Sequence, residues 1–148
     1  MNISLMKLIT MLSCFIGIVC AFLSLLPYIG GVVFFFLICF TAVVVMSILM
    51  KTKLLQIESV QESITIGGIC GFLSSMAFAI IYIPLVILFA RVFHYFTNEG
   101  VAIFFAHANL FVVLLLSIFM AIFSATINAF TGFVLYYLTE LFKNMNNR

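Results

Sequence analysis

LITMLSCFIGIVCAFLSLLPYIGGVVFFFLICFTAVVVMSILM, residues 8–50, runs for 43 positions without an Asp, Glu, Lys or Arg. A helix crosses a hydrocarbon core of about 30 Å with roughly 20 apolar residues, so one helix of this length would be about twice too long. The break falls in Leu26-Pro27-Tyr28-Ile29-Gly30-Gly31. Pro27 cannot continue a helix, and the paired glycines relax the backbone, so a tight turn is expected between a first and a second span.

Working outward, two more uncharged stretches follow, residues 63–90 and 100–139. Ser59-Val60-Gln61-Glu62 has the capping-box pattern that starts a helix, so the third span should begin near Val60 and reach Ile83, where Pro84 should kink or thin it. Forty uncharged residues are too many for one crossing. Residues 91–108, with Arg91, His94, Tyr95, Asn98, Glu99 and His107, therefore read as loop and interfacial segment, and the fourth crossing starts near Asn109. The expected fold is an all-α integral membrane protein, a single domain over 1–148. It has four transmembrane helices in an antiparallel bundle, at about 8–26, 30–50, 62–84 and 109–136, and a short cytoplasmic tail over 140–148. The run after Lys7 is longer than a signal-peptide core, and no small-x-small site follows it before Pro27, so it reads as a retained span.

Composition agrees. The 148 residues are 67% hydrophobic and 7% charged, whereas soluble domains average about 45 to 50% and about 25%. A formal net charge of +2 forms no basic patch, which excludes a nucleic-acid partner. The lipid bilayer is the expected solvent, with other membrane proteins or a second copy as the expected partners. Lys7, Lys51, Lys53, Lys143 and Arg148 fall on one side of a four-span chain and Arg91 alone on the other, so both termini should face the cytoplasm. The abundance of Phe, Ile, Asn and Lys without Trp hints at an AT-rich genome, and a bacterial inner membrane is the expected location.

Residues 16–24 (IGIVCAFLS) and 66–74 (IGGICGFLS) match at six of nine positions, which would make spans one–two and three–four duplicated hairpins if the match is ancestral. Convergence on the same packing needs explains it equally well.

Helices in lipid associate through small residues and interhelical hydrogen bonds. Gly17, Ala21 and Ser24 in span one and Gly67, Gly71 and Ser74 in span three are the expected packing positions. In span four, Ser117, Ala121, Ser124, Asn128 and Thr131 share one helical face. Ser117, Ser124, Asn128 and Thr131 could line a polar path, but buried Asn, Ser and Thr more often serve only as interhelical hydrogen-bonding groups. Span two, bulky over 32–36 and 43–45, is expected to face mostly lipid.

The predicted core of each span holds no Asp, Glu, Lys or Arg, against an ion-coupled transporter or voltage sensor. Cys14, Cys20, Cys39 and Cys70 lie within spans and form no CxxC, which suits packing thiols. His94 and His107 have only Glu99 and Asn98 near them in sequence, so neither a metal nor another cofactor is expected. No nucleophile constellation or phosphate loop is visible, so no catalytic residue is assigned. The sequence favours a non-enzymatic assembly or accessory subunit, or a homo-oligomer. A permease or channel for a neutral or weakly polar solute is second, and a membrane-embedded enzyme third.

Overall fold

The computed structural model of the chain describes residues 3–26, 28–55, 57, 59–92 and 99–146. Among these every regular element is a helix: α1 (Ile3–Leu23), α2 (Gly30–Lys51), α3 (Val60–Val92), α4 (Glu99–His107) and α5 (Leu110–Asn146). All but α4 are long and apolar enough to cross a membrane.

The helix ends follow local chemistry. Ser59 Oγ accepts the Glu62 N–H at 3.2 Å and starts α3 at Val60, as the sequence pattern requires. Asn109 Oδ1 accepts the Phe111 N–H at 3.2 Å at the start of α5. α2 ends in a Schellman motif: the Lys53 N–H bonds the Met50 C=O and the Leu54 N–H bonds the Leu49 C=O. Lys53 supplies the left-handed residue at φ 57°.

Four expectations about element bounds and the first turn need correction. Residues 99–107 form a helix rather than a loop, while His94 and residues 93–98 lie outside the described residues. α3 continues through Pro84 to Val92. α5 runs to Asn146, so most of the expected tail at 140–148 is helical, because charges such as Glu140 and Lys143 take a helix out of lipid without unwinding it. The turn between the first two spans does not use the glycines: Tyr28 takes the left-handed conformation at φ 68°, and Gly30 and Gly31 open α2.

Those two glycines differ. A methyl group on Gly30 would stand 2.8 Å from the Ser24 carbonyl oxygen, whereas one on Gly31 would meet nothing within 4 Å. Gly30→Ala is therefore expected to cost about 1 kcal/mol, and Gly31→Ala to be neutral or stabilising by about 0.5 kcal/mol through reduced chain entropy. Thermal unfolding of both variants in one detergent checks the difference.

Three clusters of buried residues make up the core between the helices. Ile9, Ala42, Val45, Met46, Leu49, Leu55, Ile66 and Cys70 form the first, near the charged α2–α3 connection. Cys20, Ala21, Leu37 and Phe78 form the second, and Val86 and Ala90 the third. α2 is the most enclosed of the long helices and α5 the least, against the expectation that span two mostly faces lipid. Val32, Phe35, Phe36 and Phe40 do face outward, but Leu37, Ile38, Thr41, Ala42, Val45, Met46 and Leu49 are buried. Lipid is as apolar as a valine side chain, so bulk and hydropathy do not tell the inside of a membrane bundle from its outside.

Candidate functional site: a polar seam and the cavity at its end

Small residues on α3 and α5 bring the two backbones together. A methyl group on Gly132 would meet the Ser63 C=O, one on Gly67 the Asn128 C=O, and one on Gly71 the Ser124 C=O. Each advance of four residues on α3 is met by a retreat of four on α5. Ser63 Oγ donates to the Gly132 C=O across this seam at 2.6 Å. Further along α3, a methyl group on Gly17 would strike the Ser74 C=O and the Ala77 side chain, so α1 lies equally close there.

Asn128 is the polar centre of the seam and is fully buried. Its Oδ1 accepts the Ala42 N–H at 2.8 Å, and its Nδ2 donates to the Ile38 C=O at 2.6 Å. Ile38 and Ala42 are four apart on α2, and theirs are the groups that an α-helix joins to each other in one rung. The carboxamide thus lies alongside a rung of α2 and matches it donor to acceptor. Nδ2 also donates to the Ser124 C=O at 3.0 Å and to Ser124 Oγ at 3.3 Å. Next to this clamp, Thr41 Oγ1 donates to the Leu37 C=O at 2.7 Å.

The other positions singled out from sequence divide by surroundings. Ala21, Ser74 and Ser124 are fully buried, and Ser74 Oγ donates to the Gly71 C=O at 3.2 Å. Thr131 and Ser117 are half-buried and donate to carbonyls of their own helix, Asn128 at 2.9 Å and Val113 at 2.8 Å. Sequence reasoning missed Ser63 and Gly132, although Gly132 lies four residues beyond Asn128 on the same stripe. It had no means of finding Ile38 and Ala42, which take part through their backbone.

The seam gives way to a cavity of about 500 Å³. Carried two steps further, the α3–α5 register sets Ser75 against Met120 and Ala79 against Leu116, and all four line it. Bulky side chains on α5, Met120 and Leu116, replace the small ones of the seam there. Ser24 and Tyr28 from the α1–α2 turn, Gly30 and Gly31 from the start of α2, and Val101 and Phe105 from α4 complete the wall with Phe34, Phe78 and Tyr82. The aromatic rings pack in series, Phe34 tilted against Phe78 at 5.6 Å and Phe78 stacked on Tyr82 at 4.9 Å between centroids.

Among the described residues no three His, Cys, Asp or Glu side chains gather where they could hold a metal. His107 Nδ1 lies 3.0 Å from the Ile103 C=O, a bond within its own helix. Comparisons with protein-family models, with curated proteins and with solved structures give no match, which leaves the seam and the cavity as the features that bear on function.

Proposed function

We propose that the chain is a non-enzymatic, multi-pass subunit of a bacterial inner membrane, an assembly or accessory protein or a homo-oligomer. Its four long helices form an antiparallel bundle with both termini in the cytoplasm. The alternating register of α3 against α5 supports the bundle, and the five-to-one bias of Lys and Arg supports the orientation. The duplicated-hairpin reading rests on the nine-residue match alone. Gly17 packs on α3 while its matched Gly67 packs on α5, so we favour convergence on close packing.

One observation carries the functional reading. The hydrogen-bonding groups of Ser124 and Asn128 are occupied inside the bundle, and both residues are fully buried. A hydrophilic pathway needs groups that are free to meet a solute, whereas a structural seam needs them paired with one another. The permease alternative keeps one feature in its favour, since Ser117 lines the cavity.

Cysteine scanning over residues 117–131 with a water-soluble thiol reagent, in a background without the four native cysteines, separates the two. Ser117→Cys is expected to react and Ala121→Cys, Ser124→Cys and Asn128→Cys to be protected. Labelling that continues along the face to Thr131→Cys would favour a wet path instead. Native mass spectrometry of gently extracted protein then reads the copy number and any co-purifying subunit.

The glycines of the seam are not the surface for such partners, because Gly67 and Gly71 are taken up by α5 of the same chain. Leucine at these positions should therefore disturb the fold of the subunit before its association.

A further inference from the structure

α5 outlasts the helix beside it. Ser63 of α3 lies against Gly132, and α3 begins only three residues earlier, at Val60, so α5 passes the start of α3 near Leu135 and continues to Asn146. This last stretch carries the exposed charges Glu140 and Lys143, yet Leu138, Leu141, Phe142 and Met145 are each 47% to 64% exposed. At about 100° per residue these four fall within an arc of about 100°, and Thr139, Glu140, Lys143 and Asn144 share the opposite side. Within lipid an outward apolar residue is ordinary, but past the charges it is an apolar face among headgroups and water, which calls for a cover. The helix is unbroken from Leu110, so this end cannot fold down onto the membrane surface to bury the face.

The same face runs back along the whole of α5 in a regular register. Val112, Phe123, Val134 and Met145 stand eleven residues apart, and the positions four and seven beyond each of the first three are apolar as well, ending in Leu138 and Leu141. Nine of these ten side chains are 38% to 66% exposed, and Ile127 is half-buried. An eleven-residue repeat, about 3.67 residues per turn, keeps to one line of a helix, and two such lines pack along each other in a gentle right-handed supercoil. Phe130 stands two residues past Asn128 and so about 160° around the helix from it, which places the line away from the seam.

We propose that this line is the contact between two copies of the chain, α5 packing in parallel against α5 of a second copy about a two-fold axis along the membrane normal. The proposal rests on the homo-oligomer reading above and narrows it to one surface. Copies of a membrane chain insert the same way round, and a two-fold axis parallel to the helices sets each residue of the line opposite itself, so one line supplies both halves of the interface. Nine side chains exposed to this degree present on the order of 1,000 Å² per copy, more than the roughly 800 Å² per partner of a standard stable interface. Glu140 and Lys143 lie off the line, so no charge is buried at the contact.

The test places single cysteines in the full chain freed of its four native ones, oxidises them in membranes with copper phenanthroline, and reads covalent dimers on denaturing gels. Phe130→Cys, Leu141→Cys and Met145→Cys are expected to link. Glu140→Cys, Lys143→Cys and Ile118→Cys, which are exposed on α5 but off the line, are expected not to. The double variant Leu141→Glu, Met145→Glu sets like charges against each other across the axis and should weaken association at least about tenfold, counted by single-molecule photobleaching in liposomes. Its thermal unfolding should match the parent, since both side chains are exposed beyond the start of α3. If the double variant does not insert, the cysteine pattern alone decides. Equal linking on and off the line would mean random collision and would overturn the proposal, as would undiminished association of the double variant. Dimers linked through other helices would overturn this surface and leave the homo-oligomer reading in place. A chain that stays monomeric at every ratio of protein to lipid would overturn both, and recovery of a different subunit with it would leave only the accessory reading.

Discussion

Gly67→Ala is expected to destabilise the fold by about 2 to 3 kcal/mol, while Gly68→Ala, one residue away, is neutral or stabilising by about 0.5 kcal/mol. The added methyl group at position 67 meets the Asn128 carbonyl and the Ala129 Cα, which are backbone atoms and cannot rotate aside. At position 68 the nearest atoms, the Ala125 C=O and the Ala129 side chain, stand 3.8 Å away at ordinary contact distance. Helix propensity favours alanine equally at both sites, so the difference isolates the approach of α5. Gly67→Leu should go further and prevent α5 from docking at all. Thermal unfolding in a mild detergent measures the pair, and equal stability of the two alanine variants would mean that α3 and α5 are not packed in this register.

Asn128 gives the second large effect. Asn128→Leu keeps a side chain of similar size but removes the bonds to Ile38, Ala42 and Ser124. Interhelical hydrogen bonds in membranes are worth about 0.6 kcal/mol on average and up to about 1.7 kcal/mol, and Asn128 makes two of them to α2. A loss of about 1 to 3 kcal/mol is expected, reduced to the extent that the Ile38–Ala42 rung closes on itself. Asn128→Asp should cost more, because a carboxylate offers no donor to the carbonyls of Ile38 and Ser124 and would be a buried charge among the spans. The control is Thr126→Val, since the exposed Thr126 bonds only the Ile122 C=O of its own helix at 3.0 Å and should tolerate the change. Chemical unfolding should rank the variants Asp, then Leu, then Val in order of increasing stability. An Asn128→Leu protein as stable as the parent would mean that the clamp contributes nothing to the bundle.

Both effects trace to a spacing of three and four residues that is legible in the chain. The stripe of Ser117, Ala121, Ser124, Asn128 and Thr131 marks the packed face of α5, and the small residues of α1 and α3 mark theirs. What the spacing does not contain is the identity of the facing helix. Gly17 and Gly67 occupy matched sequence positions yet press against different neighbours, and the partner of the Asn128 carboxamide is a stretch of α2 backbone with no side-chain signature. By spacing alone Ser24 is a packing residue like Ser74. Only the arrangement of the five helices shows that Ser74 is satisfied within α3 while the buried Ser24 hydroxyl has no partner.

The number of long apolar helices, the start of α3 at its Ser59 cap and the start of α5 at Asn109 follow from the chain itself, because hydrocarbon thickness and unpaired helix-end N–H groups are local constraints. The enclosure of α2, the exposure of α5 and the helical state of residues 99–107 were decided by tertiary packing. Inside a bilayer the solvent and the protein core are equally apolar, so hydropathy carries no information about which side of a helix faces inward. Shape complementarity and the pairing of a few polar groups then choose the arrangement, and both depend on helices distant in sequence.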